Sequence, residues 1–316
     1  MLLYLSPQTV VFPAPVVESK EPVVQVRLSY SAVSSYEKCP LSYRFQYVDG
    51  LEVEPTSYLS FGRSMHAALE WLYDRDTPEP PSLEGLLAYL DKCWESEGYA
   101  SLEDERSFLK NAREVLTQYY YSNLDAFRLP VAVEERFEID MDDYILSGVI
   151  DRVDCNVDGT YEILDYKTSR RLPELSRLRE DLQLPIYQLA CREVWGITPS
   201  KLTFYYLIPN RRYTTRPCDA DGLSRVEERL AHTAQCISKG DFPATPNRLC
   251  PWCSFEDICP ERTATGHLGE SYLARHRALL RRRVKLEEAI ALLEEEMDRE
   301  GITIAGEDER HPSPGA

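Results

Sequence analysis

The stretch YEILDYKTSR, residues 161–170, carries an acid and a lysine two positions apart in a run that otherwise reads as a buried strand. In a strand, Asp165 and Lys167 point to the same face. Charges on a buried face are costly unless they have partners. The preceding loop, NVDGT (156–160), suits a three-residue hairpin. Asn156 and Asp158 fit a type I turn, and Gly159 fits the left-handed position of a bulge. Asn156 then faces Thr160, Asp151 faces Asp165, and Val149 faces Lys167. Two carboxylates about 5 Å apart on one face repel unless something stands between them. Mg²⁺ accepts one or two carboxylates and leaves room for a phosphate and water. An ammonium beside that ion can orient water or offset charge on a phosphorane-like transition state. A two-residue turn at Asp158–Gly159 would shift the register by one and send the two acids to opposite faces. An ordinary Asp–Lys ion pair across strands is the other reading of the same residues.

Cysteines form the second chemical cluster. Cys250, Cys253 and Cys259 place three thiols in ten residues, with Pro251 and Pro260 stiffening the loop. Zinc ribbons supply a second C-x2-C pair, and this sequence has none. Cys39, before Pro40, is the remaining candidate for a fourth thiolate. Cys93, Cys155, Cys191, Cys218 and Cys236 read as small buried hydrophobes. Four thiolates suit a [4Fe–4S] cluster; three with His267 suit zinc. The residues alone leave both open.

These groups need elements to hold them. Residues 1–27 read as an extended lead-in. Residues 28–48 have an N-cap at Ser29 or Ser31, helical spacing, and a break at Pro40. SFGRSMHAALEWLYD (60–74) is a helix with Met65, Leu69 and Leu72 on its buried stripe. Its His66 and Glu70 share a neighbouring face. Helices are expected at about 83–97 and 103–123. Strands follow in VAVEERFEI, YILSGVIDRVDC, TYEILDYKT and KLTFYYLIP, with helices at 178–195 and about 222–238. The tail, SYLARHRALLRRRVKLEEAIALLEEEMDRE, is a long amphipathic helix with its basic half before its acidic half, and EDERHPSPGA is expected to be disordered. The pattern is helices around a mixed sheet, an α/β fold.

Bulk properties narrow the function. With 316 residues and 43% hydrophobic content, the chain can bury a sizeable core and is not expected to be disordered. No apolar run reaches membrane-spanning length. The start lacks a basic region and is broken by prolines, so it does not read as a signal peptide. The expected location is the cytoplasm, where disulfides are disfavoured and clustered cysteines suggest metal. A net charge of −17 argues against coating nucleic acid by bulk electrostatics. It leaves room for a local groove. Arg170, Arg171, Arg177 and Arg179 follow the Lys167 strand, and Arg211, Arg212 and Arg216 follow the next one. Each is also readable as a solvated surface residue. Arg281–Arg283 and Lys285 on the tail could reach phosphates or a protein partner.

In order, GRSMHAALE, SGVIDRVD, ILDYKTS and QLPIYQLA resemble the RecB-type PD-(D/E)XK nucleases. CPWCSFEDICP with the upstream CP resembles their iron–sulfur subgroup, which includes the AddB C-terminal nuclease and the nucleases of CRISPR adaptation. The resemblance covers residues 28–260. It implies a restriction-endonuclease-like core at 28–262, with a helical insertion at about 60–125 and a staple closing at 250–259. That cysteine-rich segment ends the domain, and a C-terminal helix and disordered tail (263–316) follow. It also implies His66, Asp151, Asp165 and the Tyr166 carbonyl as ligands of Mg²⁺ or Mn²⁺, and Lys167 as catalytic. Gln183 and Tyr187 would hold the scissile strand, and Cys39, Cys250, Cys253 and Cys259 would hold the cluster in a structural role. His66 is otherwise a histidine satisfied at a packing edge, and Gln183 and Tyr187 a polar helix face. Glu134 or Glu135 stands where the family often begins an acidic strand.

The expected function is a metal-dependent DNA nuclease, an exonuclease on DNA ends or single strands in repair or recombination. A different class is an iron–sulfur DNA-binding subunit or clamp with an accessory or vestigial site. Intact His66, Asp151, Asp165 and Lys167 weigh against it. A redox sensor rests on the cysteines alone. The sequence lacks G-x-x-x-x-G-K-[ST], so a helicase or CRISPR-adaptation partner would be another chain.

Overall fold

Asn156–Thr160 closes the turn expected of it. The Asn156 amide donates to Thr160 O at 2.7 Å and the Gly159 amide to Asn156 O at 2.9 Å. Gly159 has φ +79°, a region where a Cβ is penalised. The computed structural model describes residues 25–74, 79–263 and scattered positions between 280 and 299. Its strands are β1 (Val26–Leu28), β2 (Ala132–Asp140), β3 (Tyr144–Cys155), β4 (Tyr161–Lys167), β5 (Pro199–Tyr206) and β6 (Arg211–Thr215). Across the hairpin, Cys155 pairs with Tyr161, Val153 with Ile163 and Arg152 with Leu164. This is the register that carries Asp151 opposite Asp165.

β3 is the hub of a six-stranded mixed sheet. β2 runs antiparallel along one edge of it, from Ala132–Val153 to Asp140–Ile145. The other edge is shared. β1 pairs in parallel with Tyr144–Leu146, and β4 pairs with Arg152–Cys155. Residues 147–151 lie between these two partners, so the sheet forks at Asp151. β5 then pairs in parallel with β4, and β6 turns back antiparallel to β5.

The helices are α1 (Tyr30–Lys38), α2 (Pro40–Tyr43), α3 (Ser57–Tyr73), α4 (Leu83–Lys92), α5 (Leu102–Asn123), α6 (Leu175–Glu180), α7 (Gln183–Trp195) and α8 (Ala220–Ser238). They cover both faces of the sheet. On one face, Val33 of α1, Ile186 of α7 and Leu230 of α8 pack with Leu146 and Ile163. On the other, Met65 and Leu69 of α3, Leu90 of α4 and Leu116 of α5 pack with Leu164 and Tyr166. The α/β architecture of helices around a mixed sheet holds. Among the described residues, no helix is long and apolar enough to cross a membrane.

Several elements differ from the sequence reading. The end of the expected lead-in is β1, a strand with Leu28 fully buried. The helix expected at 178–195 is two, because Asp181 is extended (φ −68°, ψ 131°) between α6 and α7. Its carboxylate accepts from Tyr30 Oη at 2.8 Å and from the Gln183 amide at 2.8 Å, which restarts the helix. α4 ends at Lys92 instead of 97. Gly98 (φ +84°) then brings the chain so close to Thr56 that a Cβ would sit 2.6 Å from its carbonyl carbon. Arg211 and Arg212 do not merely follow a strand but lie in β6, and Arg212 donates to Asn123 Oδ1 at 2.9 Å. Pro40 breaks α1 from α2 as expected, and the Ser29 hydroxyl caps α1 by accepting from the Ala32 amide. Residues 1–24, His267, Arg281, Arg282, Lys285 and the terminal ten residues lie outside the described residues, as does most of the terminal helix.

Candidate active site

The pleat of the sheet is interrupted where the acids gather. In a regular strand, odd and even positions face opposite ways. Yet Leu146, Ile150 and Val153 of β3 all face the same core. In β2, Ala132, Phe137 and Ile139 face that core, while Val133 faces the other. Both strands lose their alternation around the pair that would match Glu134 with Asp151, and Glu134 has φ +46°. A non-glycine residue there is strained. The kink turns Asp151 and Glu134 towards His66, which α3 brings in from the side of the second core.

His66 Nδ1 lies 3.4 Å from Glu134 Oε1 and 3.5 Å from Asp151 Oδ2. Its Nε2 lies 3.1 Å from the Tyr166 carbonyl oxygen. Asp151 Oδ2 accepts the Tyr166 amide at 2.7 Å, standing in for a ladder bond where the sheet forks. His66, Glu134 and Asp151 bring ligand atoms within 4.8 Å of one another. Asp165, 1% exposed, sits one strand across. Its Oδ2 is 2.7 Å from Lys167 Nζ, but the approach leaves that buried oxygen without a well-aligned hydrogen bond. Carboxylates, one imidazole, a main-chain carbonyl beside that imidazole and an under-satisfied buried oxygen form a donor set that fits a hard divalent cation such as Mg²⁺ or Mn²⁺.

Without a cation both acids are pushed towards their protonated forms. Burial and the charge of Asp165 push Asp151 up to about 7, against the pull of His66 and the Tyr166 amide. Burial also raises Asp165, opposed by Lys167. Burial disfavours the His66 imidazolium, but Asp151, Glu134 and Asp165 outweigh it and push His66 up to about 9. These directions are the mark of negative charge crowded into a site with little water.

The ammonium of Lys167 is held from two sides. It meets Asp165 and donates to Gln183 Oε1, and Gln183 Nε2 donates to Tyr187 Oη at 2.9 Å. Gln183 opens α7, and its main-chain amide donates to Asp181 Oδ1 at 2.8 Å just before the helix. Tyr30 of α1 completes this wall, with Lys167 Nζ 5.9 Å from its ring centroid.

Cys39, Cys250, Cys253 and Cys259 line one cavity of about 860 Å³. The Thr245 amide donates to Cys39 Sγ at 3.5 Å and the Asn247 amide to Cys250 Sγ at 3.2 Å. Burial, with the neighbouring sulfurs of Cys39 and Cys259, pushes the Cys253 thiol up. Gathered sulfurs with backbone amides aimed at two of them are a donor set of the kind that binds a soft metal. The other cysteines lie elsewhere: Cys191 in the core, and Cys93, Cys155, Cys218 and Cys236 half-buried at separate positions.

His66, Asp151 and the Tyr166 main chain thus meet, and Lys167 meets Asp165, Gln183 and, through it, Tyr187. Asp165 is outside the tight three-residue group, where Glu134 stands instead. Glu135 is not part of it. Tyr30 and Asp181 carried no sequence signal. Only the acidic strand start pointed to Glu134.

Residues 27–260 match the model of the PD-(D/E)XK nuclease superfamily. The chain is 23% identical over 279 residues to the Gene 69 protein of Mycobacterium phage D29, covering 75% of this chain and 99% of that protein. It is 26% identical over 166 residues to an ATP-dependent helicase/deoxyribonuclease subunit of Streptococcus agalactiae, half of this chain but 15% of that protein. A solved structure of a presumed exonuclease from Eubacterium rectale superposes with a TM-score of 0.46 at 15% identity, covering 76% of this chain and 93% of that one. A single family model spanning β1 to the last cysteine takes in every residue of the site, and the chain belongs to the PD-(D/E)XK nuclease superfamily.

Proposed function

We propose that the protein is a metal-dependent deoxyribonuclease acting as an exonuclease on DNA ends or single strands. The observation that carries this reading is the fork of the sheet. There, buried Asp151 and Asp165 flank the Tyr166 main chain, with His66 on one side and Lys167 on the other. His66, Asp151 and Glu134 would hold the ion, with Asp165 and the Tyr166 carbonyl completing its surroundings. A bound Mg²⁺ or Mn²⁺ supplies Lewis-acid polarisation of the phosphate and a lowered pKa for water. Asp165 and Gln183 fix Lys167 Nζ, which orients the attacking water and offsets charge building on phosphate oxygen. Tyr187 holds Gln183 in place. Arg170, Arg171, Arg177 and Arg179, which follow β4, would meet the DNA backbone.

The cysteines would hold a [4Fe–4S] cluster in a structural role. Four cysteines lining one cavity support a four-thiolate cluster, and zinc is the alternative. The likeness to helicase/deoxyribonuclease proteins supports a role in DNA repair or recombination beside a helicase on another chain, in the cytoplasm. CRISPR adaptation is the other context. An iron–sulfur DNA clamp with a vestigial site is the rival, and the retained Lys167–Asp165 pair speaks against it. The test is degradation of end-labelled single- and double-stranded DNA with Mg²⁺, Mn²⁺ or chelator. Ladders from one end that need metal support the reading. Binding without cleavage under every metal would leave the clamp.

A further inference from the structure

Behind the candidate metal site lies a buried cation that the chemistry above does not use. Arg152 is 5% exposed, next in sequence to Asp151. Its Nε donates to Asp154 Oδ1 at 2.7 Å, and its guanidinium carbon lies 3.8 Å from the Tyr73 ring centroid. One terminal nitrogen donates to Tyr166 Oη at 3.2 Å and to Tyr119 Oη at 3.4 Å. The three hydroxyls form a chain, Tyr73 to Tyr119 at 2.9 Å and Tyr119 to Tyr166 at 3.0 Å. Stability alone is a poor reason to keep such a group. Replacing a buried ion pair with apolar residues of similar volume is often neutral or stabilising. What a rigid guanidinium fork and a chain of hydroxyls supply is direction.

Those directions converge on groups that face the metal site. Tyr166 is gripped by its hydroxyl on one face of β4, while its amide holds Asp151 and its carbonyl faces His66. Tyr73 lies on α3 two turns beyond His66, so its ring against Arg152 sets the roll of that helix. Arg152 itself fixes β3 one residue from Asp151.

We propose that Arg152, with the Tyr73–Tyr119–Tyr166 hydroxyl chain, is a positioning device that holds α3, β3 and β4 in the geometry a divalent cation requires. The inference rests on the metal site of the proposed function. Partners behind ligands commonly tune metal affinity by about 10–100-fold.

The test is Mn²⁺ binding by calorimetry on the full chain without DNA, paired with thermal melting. The double variant Arg152→Met/Asp154→Leu removes the pair without stranding a charge. It is expected to melt close to wild type yet bind Mn²⁺ about tenfold more weakly. Thr203→Val is the control. It removes a buried hydrogen bond from β5 to Glu162 of β4, the strand that carries Tyr166, and should lower the melting temperature while leaving Mn²⁺ affinity unchanged. If the double variant does not fold, Tyr166→Phe decides, since it deletes one hydroxyl and no charge. Several-fold weaker binding supports the device, and wild-type affinity overturns it. Wild-type Mn²⁺ affinity in a folded double variant also overturns it, while the metal site stands. A wild type that binds no Mn²⁺ at millimolar concentration overturns both.

Discussion

Asp165 and Lys167 share a cost. The carboxylate is buried beside another acid, and the ammonium is its compensation. Asp165→Ala therefore removes both a metal oxygen and a repulsion. Cleavage is expected to be abolished, while the metal-free protein melts no lower than wild type and loses its stabilisation by Mn²⁺. Lys167→Ala is expected to abolish cleavage while retaining metal-induced stabilisation. Melting with and without Mn²⁺, beside the degradation assay, checks both, and wild-type cleavage by either variant would place the chemistry elsewhere. The raised pKa values give a further expectation. Asp151 at about 7 and His66 at about 9 both bind protons more tightly folded than unfolded. Each stabilising contribution is complete below its unfolded pKa and is lost as pH rises through the folded value. Metal-free protein should lose melting temperature between about pH 5 and 9, less steeply in His66→Gln. Metal competes with those protons, so Mn²⁺ affinity should rise across the same window. A metal-free melting curve that rises with pH would contradict the assignment. Asp151, Asp165 and Lys167 were legible because one turn fixes their register. Glu134 was legible only as one of two acids, with Glu135, at a strand start, because the choice between them depends on a left-handed backbone and a lost pleat in two strands, which no periodicity records.

Among elements, the hairpin was the most legible, since Asn156, Asp158 and Gly159 each have a local conformational reason to be there. The break at Asp181 was not, because its partner Tyr30 comes from the far end of the chain. The two glycines that bend the backbone separate these cases. Gly159→Ala meets open space and only the left-handed strain, about 1 kcal/mol. Gly98→Ala meets the same strain plus backbone at 2.6 Å, and should cost more than twice as much, measured by urea unfolding. The proposed staple would be a third element-scale device. Contacts that join α1 and α2 to the segment after α8 include Tyr36 Oη to Asp241 O at 2.6 Å, the Leu41 amide to Pro243 O at 3.2 Å, Asn247 to Lys38 O at 3.1 Å, and the Tyr43 ring stacked on Phe242. Closing so long a loop costs several kcal/mol, roughly, in chain entropy. Cys253→Ala, purified without oxygen, is expected to lose visible absorbance. Proteolysis near 28–60 should be faster, and activity lower and partly rescued by excess Mn²⁺. A colourless wild type with stoichiometric zinc would refute the cluster, and unchanged protease resistance would refute the staple.

At the scale of the molecule, a net charge of −17 opposes a polyanion. Affinity for DNA then depends on a local face, and the exposed arginines after β4 are its candidates. Arg170→Ala with Arg171→Ala should weaken binding alike for all sequences and flatten its dependence on salt, as read by anisotropy titrations. The α/β class followed from the succession of apolar patterns, whereas the fork in the sheet did not, because β1 is a short strand inside what reads as an extended lead. The joining of α1 and α2 to the segment after α8 has a mechanical consequence. Tension applied at the two ends of the chain peels the three-residue β1 from β3 and then meets the cysteine clasp, before it loads the rest of the sheet. With the sulfurs bridged, a single-molecule pull should meet one stiff barrier, after which the chain enclosed between Cys39 and Cys250 yields about 700 Å of contour. With the sulfurs unbridged, the seam opens at low force, and the sheet becomes the part that resists.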